Sequence, residues 1–214
     1  MSRLDRNGGR KPRTQSVKRV PRLGYYFIVT DTEETEQNYM HGLRDSLPAA
    51  VQDNIVIKVV KAKTVDLIEK ALSLAALNPQ YSEIWIVFDR DRVKGFDDMI
   101  SEAVSKGIHV GWSNPCIEIW FHAYFGSMPP FQTSVVCCKG FEESFEKRSG
   151  QKYRKDDKAI YRKLIAIGNE DTAISLAARR LNEHKRDGKE KPSEMCPCTT
   201  VYSLVQEIKQ KTGG

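Results

Sequence analysis

Short apolar runs alternate with longer amphipathic stretches along the first 130 residues of the chain. Four of these runs are rich in β-branched and aromatic residues and have the length of strands buried on both faces. They cover residues 24–30, 54–60, 83–88 and 108–112. The stretches between them place apolar residues at helical spacing. Strands and helices that alternate in this way are typical of a mainly parallel sheet. We therefore predict an α/β fold with about four strands flanked by helices.

The character of the chain changes after a turn at residues 126–130, which contains glycine and proline. The residues beyond it are more charged, and their apolar positions are spaced as in helices. The pattern therefore predicts three parts. They are a disordered basic arm at 1–22, an α/β domain at 23–130 and a helical extension at 131–214 that packs on the same domain.

The net charge of +6 is concentrated in the amino-terminal arm. The first 24 residues contain eight basic side chains and one acid, a net charge of +7, so the other residues together carry −1. Such an arm either binds nucleic-acid phosphates or is a solvated leader. The rest of the chain is nearly neutral, so its charge alone does not indicate a partner.

The sequence disfavours several classes of protein. No stretch reaches the ~18 consecutive apolar residues that a membrane-spanning helix requires, and the amino terminus lacks the apolar core of a secretory signal. Five cysteines without an export signal predict reduced thiols in the cytoplasm. Because no glycine-rich phosphate-binding loop is present, we expect the chain to bind no ATP itself.

Acidic residues follow three of the predicted strands. Asp31 comes after the first strand, and Asp89 and Asp91 come after the third. Glu118 lies just beyond the fourth. The carboxyl ends of parallel strands share one edge of the sheet, where we expect these carboxylates to converge. If the backbone stays extended after the third strand, Asp89 and Asp91 point the same way, and a cation relieves their repulsion. Carboxylate oxygens favour Mg²⁺ or Mn²⁺.

These charged residues also have ordinary structural explanations. An acid after a strand often caps the following helix, and a single Asp-x-Asp is common by chance. The second acidic strand end and Glu118 favour a functional site. The basic residues near the acids and in the second half either hold substrate phosphates or are weakly paired surface charges. The residues in question are Arg90, Arg92, Lys94, Lys155 and Lys158.

The cysteine and histidine residues give a weaker signal. The cysteine pairs at 137–138 and 196–198 lack the two-to-four-residue gap of common zinc sites, so we expect ordinary thiols. His122 lies four positions after Glu118 on the same predicted helix. It either lines the acidic site or packs in the core, and packing is the more common case for such a histidine.

Five segments, in the same order, resemble the motifs of the RloB-like family. They are VTDTEETEQNY at 29–39, WIVFDRD at 85–91, SNPCIEIW at 113–120, YRKDDK at 153–158 and PCTTV at 197–201. The first two also resemble the strand–acidic turn–helix and strand–Asp-x-Asp pattern of the Toprim fold, which topoisomerases, primases and OLD-family nucleases share. The resemblance runs from about residue 25 to 208 and implies a Toprim- or Rossmann-like fold.

The resemblance also implies a function. RloB-like proteins are generally taken to be Toprim nucleases in antiviral defence, and they occur in abortive-infection pairs with an ATPase. It implies that Mg²⁺ or Mn²⁺ is bound by Asp31, Asp89, Asp91 and Glu118. The same residues, with Glu33, would cleave nucleic-acid phosphodiesters, in DNA or RNA. The alternative is a non-catalytic, Toprim-like protein that docks on an ATPase or on nucleic acid.

One position departs from the family pattern. The family usually has Glu-Gly where this chain has Asp31-Thr32. Aspartate is one methylene shorter than glutamate, and threonine lacks the backbone freedom of glycine. Three outcomes stay open: Asp31 reaches the metal through water, Glu33 takes part, or the site is weakened.

Overall fold

The computed structural model describes residues 26–31, 34–52, 55–59, 66–79 and 81–212, without the side chains of residues 50, 55–59 and 92. The strands are β1 (Tyr26–Thr30), β2 (Ile55–Val59), β3 (Glu83–Asp89), β4 (His109–Asn114) and β5 (Cys198–Thr199). The helices are α1 (Thr35–Ser46), α2 (Ala49–Gln52), α3 (Leu67–Ala76), α4 (Phe96–Ser105), α5 (Glu118–Tyr124), α6 (Ser134–Ser149), α7 (Ile160–Ile167), α8 (Glu170–Arg186) and α9 (Val201–Thr212). Short 3₁₀ turns lie at Arg90–Arg92 and Pro192–Glu194.

The five strands form one sheet in the order β2-β1-β3-β4-β5. β1 to β4 are parallel, and β5 is antiparallel to β4. The chain leaves β1 towards β2 and then crosses back to place β3 on the other side of β1, so the direction of winding changes between β1 and β3. At such a switch point the loops beyond the carboxyl ends diverge and leave a crevice in which ligands bind.

Both faces of the sheet are covered by apolar side chains. In β1, Tyr26 and Ile28 belong to one hydrophobic cluster, and Phe27 and Val29 belong to the other. The first cluster includes residues of α1 and α5 to α9, and the second includes residues of α3 and α4. Because successive residues of a strand point to opposite faces, a strand between two cores is apolar throughout. This explains the unbroken apolar runs in the sequence.

A buried hydrogen-bond chain joins α1 and α5 to the carboxyl-terminal helices. The hydroxyl oxygens of Tyr39 and Tyr124 are 2.8 Å apart, and Tyr124 donates to Glu170 at 2.7 Å. Lys209 Nζ lies 2.8 Å from the other carboxylate oxygen of Glu170. Burial raises the pKa of Tyr124, and the adjacent Tyr39 and Glu170 raise it further. Tyr124 therefore stays a hydrogen-bond donor at neutral pH.

The prediction of a mainly parallel α/β sheet flanked by helices is confirmed. The carboxyl-terminal residues also add β5, which the sequence pattern did not indicate because a strand of two residues has no periodicity. The basic arm predicted at 1–22 lies outside the described residues. In the part of the chain that the structure describes, no helix combines the length and apolar character needed to cross a bilayer.

Replacing Tyr124 by Phe is expected to lower the free energy of unfolding by about 1–3 kcal/mol, because the buried Tyr39 hydroxyl and Glu170 carboxylate each lose a partner. Urea denaturation measures the change. The control is Tyr202→Phe, since the half-buried Tyr202 hydroxyl has no hydrogen-bond partner among the described residues. We expect its effect to stay within about 0.5 kcal/mol. Equal effects for the two variants would contradict a structural role for the chain.

Candidate functional site

Four carboxylates from separate elements gather at the carboxyl edge of the sheet. Asp31 follows β1 and Asp89 ends β3, while Glu36 and Glu118 lie in the first turns of α1 and α5. The charges of the other three all raise the pKa of Asp89, so they lie within electrostatic reach of it. Glu36 and Glu118 are almost fully buried. We call these four residues the carboxylate cluster; it contains three of the predicted site residues and lies at the switch point between β1 and β3.

The carboxyl group of Asp89 is in an unfavourable environment for a negative charge. Its pKa is raised well above the ordinary value, first by burial and then by the charges of Glu36, Glu118 and Asp31. A hydrogen bond from the Ile117 backbone N–H opposes the shift. Oδ1 of Asp89 is shielded from solvent and accepts no hydrogen bond from any described residue. A proton or a cation stabilises a carboxylate in such surroundings.

Glu118 is held by side chains from the segment that precedes α7. Tyr153 donates a hydrogen bond to Glu118 Oε1 at 3.0 Å, and Lys155 Nζ lies 3.7 Å from the same oxygen. Burial raises the pKa of Tyr153, and the Glu118 charge adds to that effect. Burial alone lowers the pKa of Lys155, but the charge of Glu118 counters this, and the pKa is raised overall. The Thr35 hydroxyl donates to the Lys155 carbonyl at 3.4 Å, which ties this segment to α1.

The backbone does not stay extended after β3, so the predicted geometry of the Asp-x-Asp pair was wrong. Residues Arg90–Arg92 form a 3₁₀ turn, and strand alternation therefore does not direct Asp89 and Asp91 to the same point. Asp91 is exposed, whereas Oδ1 of Asp89 is buried. Asp91 stays a predicted ligand, but the close charges at Asp89 come from α1, α5 and the end of β1.

The remaining predicted residues near the acids are exposed or outside the described part of the chain. Arg90 is partly exposed and Lys94 is exposed, and the two residues flank Asp91 in the sequence. Glu33 and the side chain of Arg92 lie outside the described residues. The structure therefore places Arg90 and Lys94 where they can meet a ligand from solvent.

Lys158 has different neighbours from Lys155, although both were predicted to bind nucleic acid. It lines a groove of about 810 Å³ together with Arg162 and Lys209, between α1, α7 and α9. The described residues that line this groove include no member of the carboxylate cluster. Lys158 thus lines a groove beside the carboxyl-terminal helices, whereas Lys155 contacts Glu118 of the cluster.

Two kinds of metal ligand meet around Glu118. Among the described residues, Cys116, Glu118 and Cys138 are the three whose ligand atoms all lie within 4.8 Å of one another. The carboxylate cluster, in contrast, offers oxygen ligands alone. They suit Mg²⁺, which usually keeps several waters between itself and a few carboxylates. The sulfur-containing set suits a softer ion.

Glu36 was not identified as a site residue from the sequence, although a signal for it was present. It lies three and four positions before Tyr39 and Met40, both of which are fully buried. Residues at these spacings share one face of a helix. Glu36 lies in the first turn of α1, the helix that follows β1, and on its buried face. An acid in this position is therefore expected to point towards the carboxyl edge of the sheet.

The cysteines and His122 follow their predicted roles in part. All five cysteines are free thiols, as expected, but the approach of Cys116 to Cys138 was not predicted. His122 packs against the rings of Phe131 and Phe141, with centroids 5.3 and 5.5 Å away. Burial lowers the pKa of His122 to about 4, so its ring is neutral at neutral pH. These contacts support the core interpretation of His122.

The sequence of the chain matches one known protein family. Residues 26–208 match the family described as RloB-like protein. No curated protein and no solved structure matches the chain. The matched segment takes in every strand and all the helices up to most of α9, together with the carboxylate cluster. On this match, the chain belongs to the RloB-like protein family.

Proposed function

We propose that this chain is a Mg²⁺-dependent nuclease that cleaves nucleic-acid phosphodiesters and accepts Mn²⁺ as a substitute ion. The observation that carries the proposal is the environment of Asp89. One of its carboxylate oxygens is shielded from solvent, and the group lies within reach of three other negative charges. A divalent cation with oxygen ligands removes this repulsion. The position of the cluster, at the switch point of a parallel sheet, is where ligands bind in folds of this kind.

The residues of the cluster match the ion chemically. Asp31, Asp89 and Glu118 would hold it, since Mg²⁺ prefers carboxylate and water oxygens. When bound, such an ion neutralises charge on a phosphate and makes a water molecule more acidic. Asp31 is partly buried. As an alternative to holding the ion, Asp31, together with Glu33 or alone, would accept a proton from the attacking water. Tyr153 and Lys155 keep Glu118 in place through its Oε1.

The exposed residues near the cluster would bind the substrate. Arg90 and Lys94 would contact its phosphates, as salt-sensitive contacts of the kind that dominate nucleic-acid binding. Asp91 would add a ligand from the solvent side. Glu33 lies in the first motif, and Arg92 directly follows the second. Lys155 and Lys158 would extend the basic surface along the carboxyl-terminal half.

Membership of the RloB-like family supports a defence-related role for this activity. We propose an antiviral nuclease of the abortive-infection type that acts with an ATPase partner. The sequence supports this division of labour, because the chain has acids suited to metal-dependent hydrolysis and lacks a glycine-rich loop for ATP. The partner would supply the ATP-dependent step.

A second candidate function is a non-catalytic protein that docks on an ATPase or on nucleic acid. The observation that favours it is the Lys155 ammonium beside Glu118, which neutralises one member of the cluster without an added ion. The two candidates differ in one measurable way. A nuclease loses metal binding and cleavage when the acids are replaced. A docking protein still binds its partner after the same replacement.

Replacing Asp89 by Asn is expected to stabilise the metal-free protein and to remove its response to Mn²⁺. The amide keeps an acceptor for the Ile117 N–H but carries no charge, so in EDTA we expect the free energy of unfolding to rise by about 1–2 kcal/mol. Wild type with Mn²⁺ at 100 times Kd should melt roughly 5–10 °C higher than in EDTA. Thermal denaturation of the wild type and of Asp89→Asn, with Mn²⁺ and with EDTA, measures both effects. A wild-type chain indifferent to Mn²⁺ and Mg²⁺ would refute the ion site.

Cleavage is tested by incubating the purified chain with plasmid, single-stranded DNA and tRNA, each with Mg²⁺, with Mn²⁺ and with EDTA. We expect cleavage with either ion, none with EDTA, and at least about 100-fold slower cleavage by Asp89→Asn, since loss of a ligand exceeds the cost of losing an outer-shell group. The matched control is Asp45→Asn. The Asp45 side chain is exposed, and among the described residues it pairs with its neighbour Arg44 alone, so its loss should not change the rate. Equal rates for Asp89→Asn and wild type would contradict the proposal.

Replacing Asp91 by Asn should have a smaller effect than replacing Asp89. Asp91 is exposed on the 3₁₀ turn, where water already solvates its charge, so it contributes less to the retention of a cation. We expect the Mn²⁺-induced rise in melting temperature to be largely retained in Asp91→Asn and lost in Asp89→Asn. The reverse order of effects would show that the ion is held on the solvent side of the turn.

A further inference from the structure

Two thiols approach each other beside Glu118, at a place that the proposed nuclease chemistry does not use. Cys116 lies in the turn between β4 and α5, and Cys138 lies in the second turn of α6. Their sulfur atoms are 3.9 Å apart. A carboxylate oxygen of Glu118 completes a group in which all three ligand atoms lie within 4.8 Å of one another. We call these three residues the thiol–carboxylate group.

The spacing of this group matches the geometry of a tetrahedral metal site. Zn²⁺ binds cysteine sulfur at about 2.3 Å, so two sulfurs on one tetrahedral ion lie about 3.8 Å apart. The observed 3.9 Å between Cys116 and Cys138 needs almost no adjustment. Two sulfurs and one carboxylate oxygen give three protein ligands and leave a fourth position for water, as in zinc sites that keep an open position.

The surroundings of the group allow an ion to enter and favour a positive charge. Cys116 and Glu118 are buried, whereas Cys138 is partly exposed and provides a route from solvent. Lys155 Nζ lies 3.7 Å from Glu118 Oε1 and also interacts with the Cys138 thiol. The Lys155 side chain is 48% exposed, so its ammonium can move into solvent when another cation takes its place.

We propose that Cys116, Cys138 and Glu118 bind a thiophilic divalent cation, Zn²⁺ in the first place, and that the Lys155 ammonium competes with it. Each thiol gives its proton to solvent when its sulfur coordinates the ion. This site goes beyond the proposed nuclease function and does not depend on it. Glu118 is shared with the carboxylate cluster, but both sulfur ligands lie outside that cluster.

Titration with Co²⁺ tests the site on the full chain, stripped of metal and kept reduced by a phosphine. Co²⁺ reports thiolate ligands by a sulfur-to-metal charge-transfer band in the near ultraviolet, and Zn²⁺ should bleach that band by displacement. We expect the charge-transfer band to saturate with one Co²⁺ per chain, at an affinity that is at least about tenfold weaker in Cys116→Ser and in Cys138→Ser. The control is Cys196→Ser, because Cys196 bonds to the Phe131 carbonyl outside the group. That variant should titrate like wild type.

Three further results decide the assignment. A wild-type chain without the charge-transfer band overturns the site whether or not the serine variants fold. Lys155→Met should bind Co²⁺ several times more tightly, because a competing charge is gone, and weaker binding would overturn the role given to Lys155. Asp89→Asn should keep the band. If Asp89→Asn loses the band while both serine variants keep it, the ion belongs to the carboxylate cluster and the proposal fails.

Discussion

Repulsion between carboxylates at the end of β3 is the constraint on which the site depends. The backbone of Asp89 is held in place, because β3 pairs with β1 as far as Val87 and with β4 as far as Asp89 itself. Like charges fixed in a poorly solvated place interact strongly, so the surroundings have to compensate. Asp89 accepts a hydrogen bond from the Ile117 N–H. Glu118 accepts one from the Tyr153 hydroxyl and lies beside the Lys155 ammonium. The negative charge of Glu118 is therefore better stabilised by its neighbours than that of Asp89. An added cation would relieve the most repulsion at Asp89, at the end of β3.

The carboxyl-terminal half of the chain is part of this site. It supplies Tyr153 and Lys155, which contact Glu118, and the Cys138 thiol beside them. β5 adds a further strand to the sheet through β4, and the hydroxyl groups of Ser113 and Thr199 lie 3.1 Å apart across that pair. The change of character at residue 130 therefore marks a change in composition. Residues before and after position 130 together form the group of side chains at the carboxyl edge of the sheet.

The sequence predicted those features that depend on local pattern. Strands buried on both faces are apolar throughout, and the acids at strand ends follow from the chain order, so the sheet and the meeting of Asp31, Asp89 and Glu118 could be anticipated. The 3₁₀ turn after Asp89 could not, because an Asp-x-Asp segment is compatible with both backbone conformations.

Contacts that depend on helix packing were also beyond the sequence. Cys116 and Cys138 are 22 positions apart, and Tyr153 is 35 positions from Glu118. Periodicity shows which face of a helix is buried but does not show which residue of another helix it meets. Glu36 is an intermediate case. Its helical face was predictable, but its electrostatic contact with Asp89 required the actual path of the chain from β1 into α1.

Glu118 belongs to two ligand sets of different chemistry, and this decides how the site can be interpreted. On one side it adds to the oxygens around Asp89, which suit a hard ion, and on the other it lies beside the sulfurs of Cys116 and Cys138, which suit a soft one. A substitution of Glu118 alters both sets and also frees Tyr153 and Lys155. Such a substitution therefore cannot distinguish the two ligand sets, although Glu118 is the most buried acid of the cluster. Asp89 belongs only to the oxygen set, and Cys116 belongs only to the sulfur-containing set. Substitutions of these two residues therefore distinguish the two kinds of metal site, which a substitution of Glu118 cannot do.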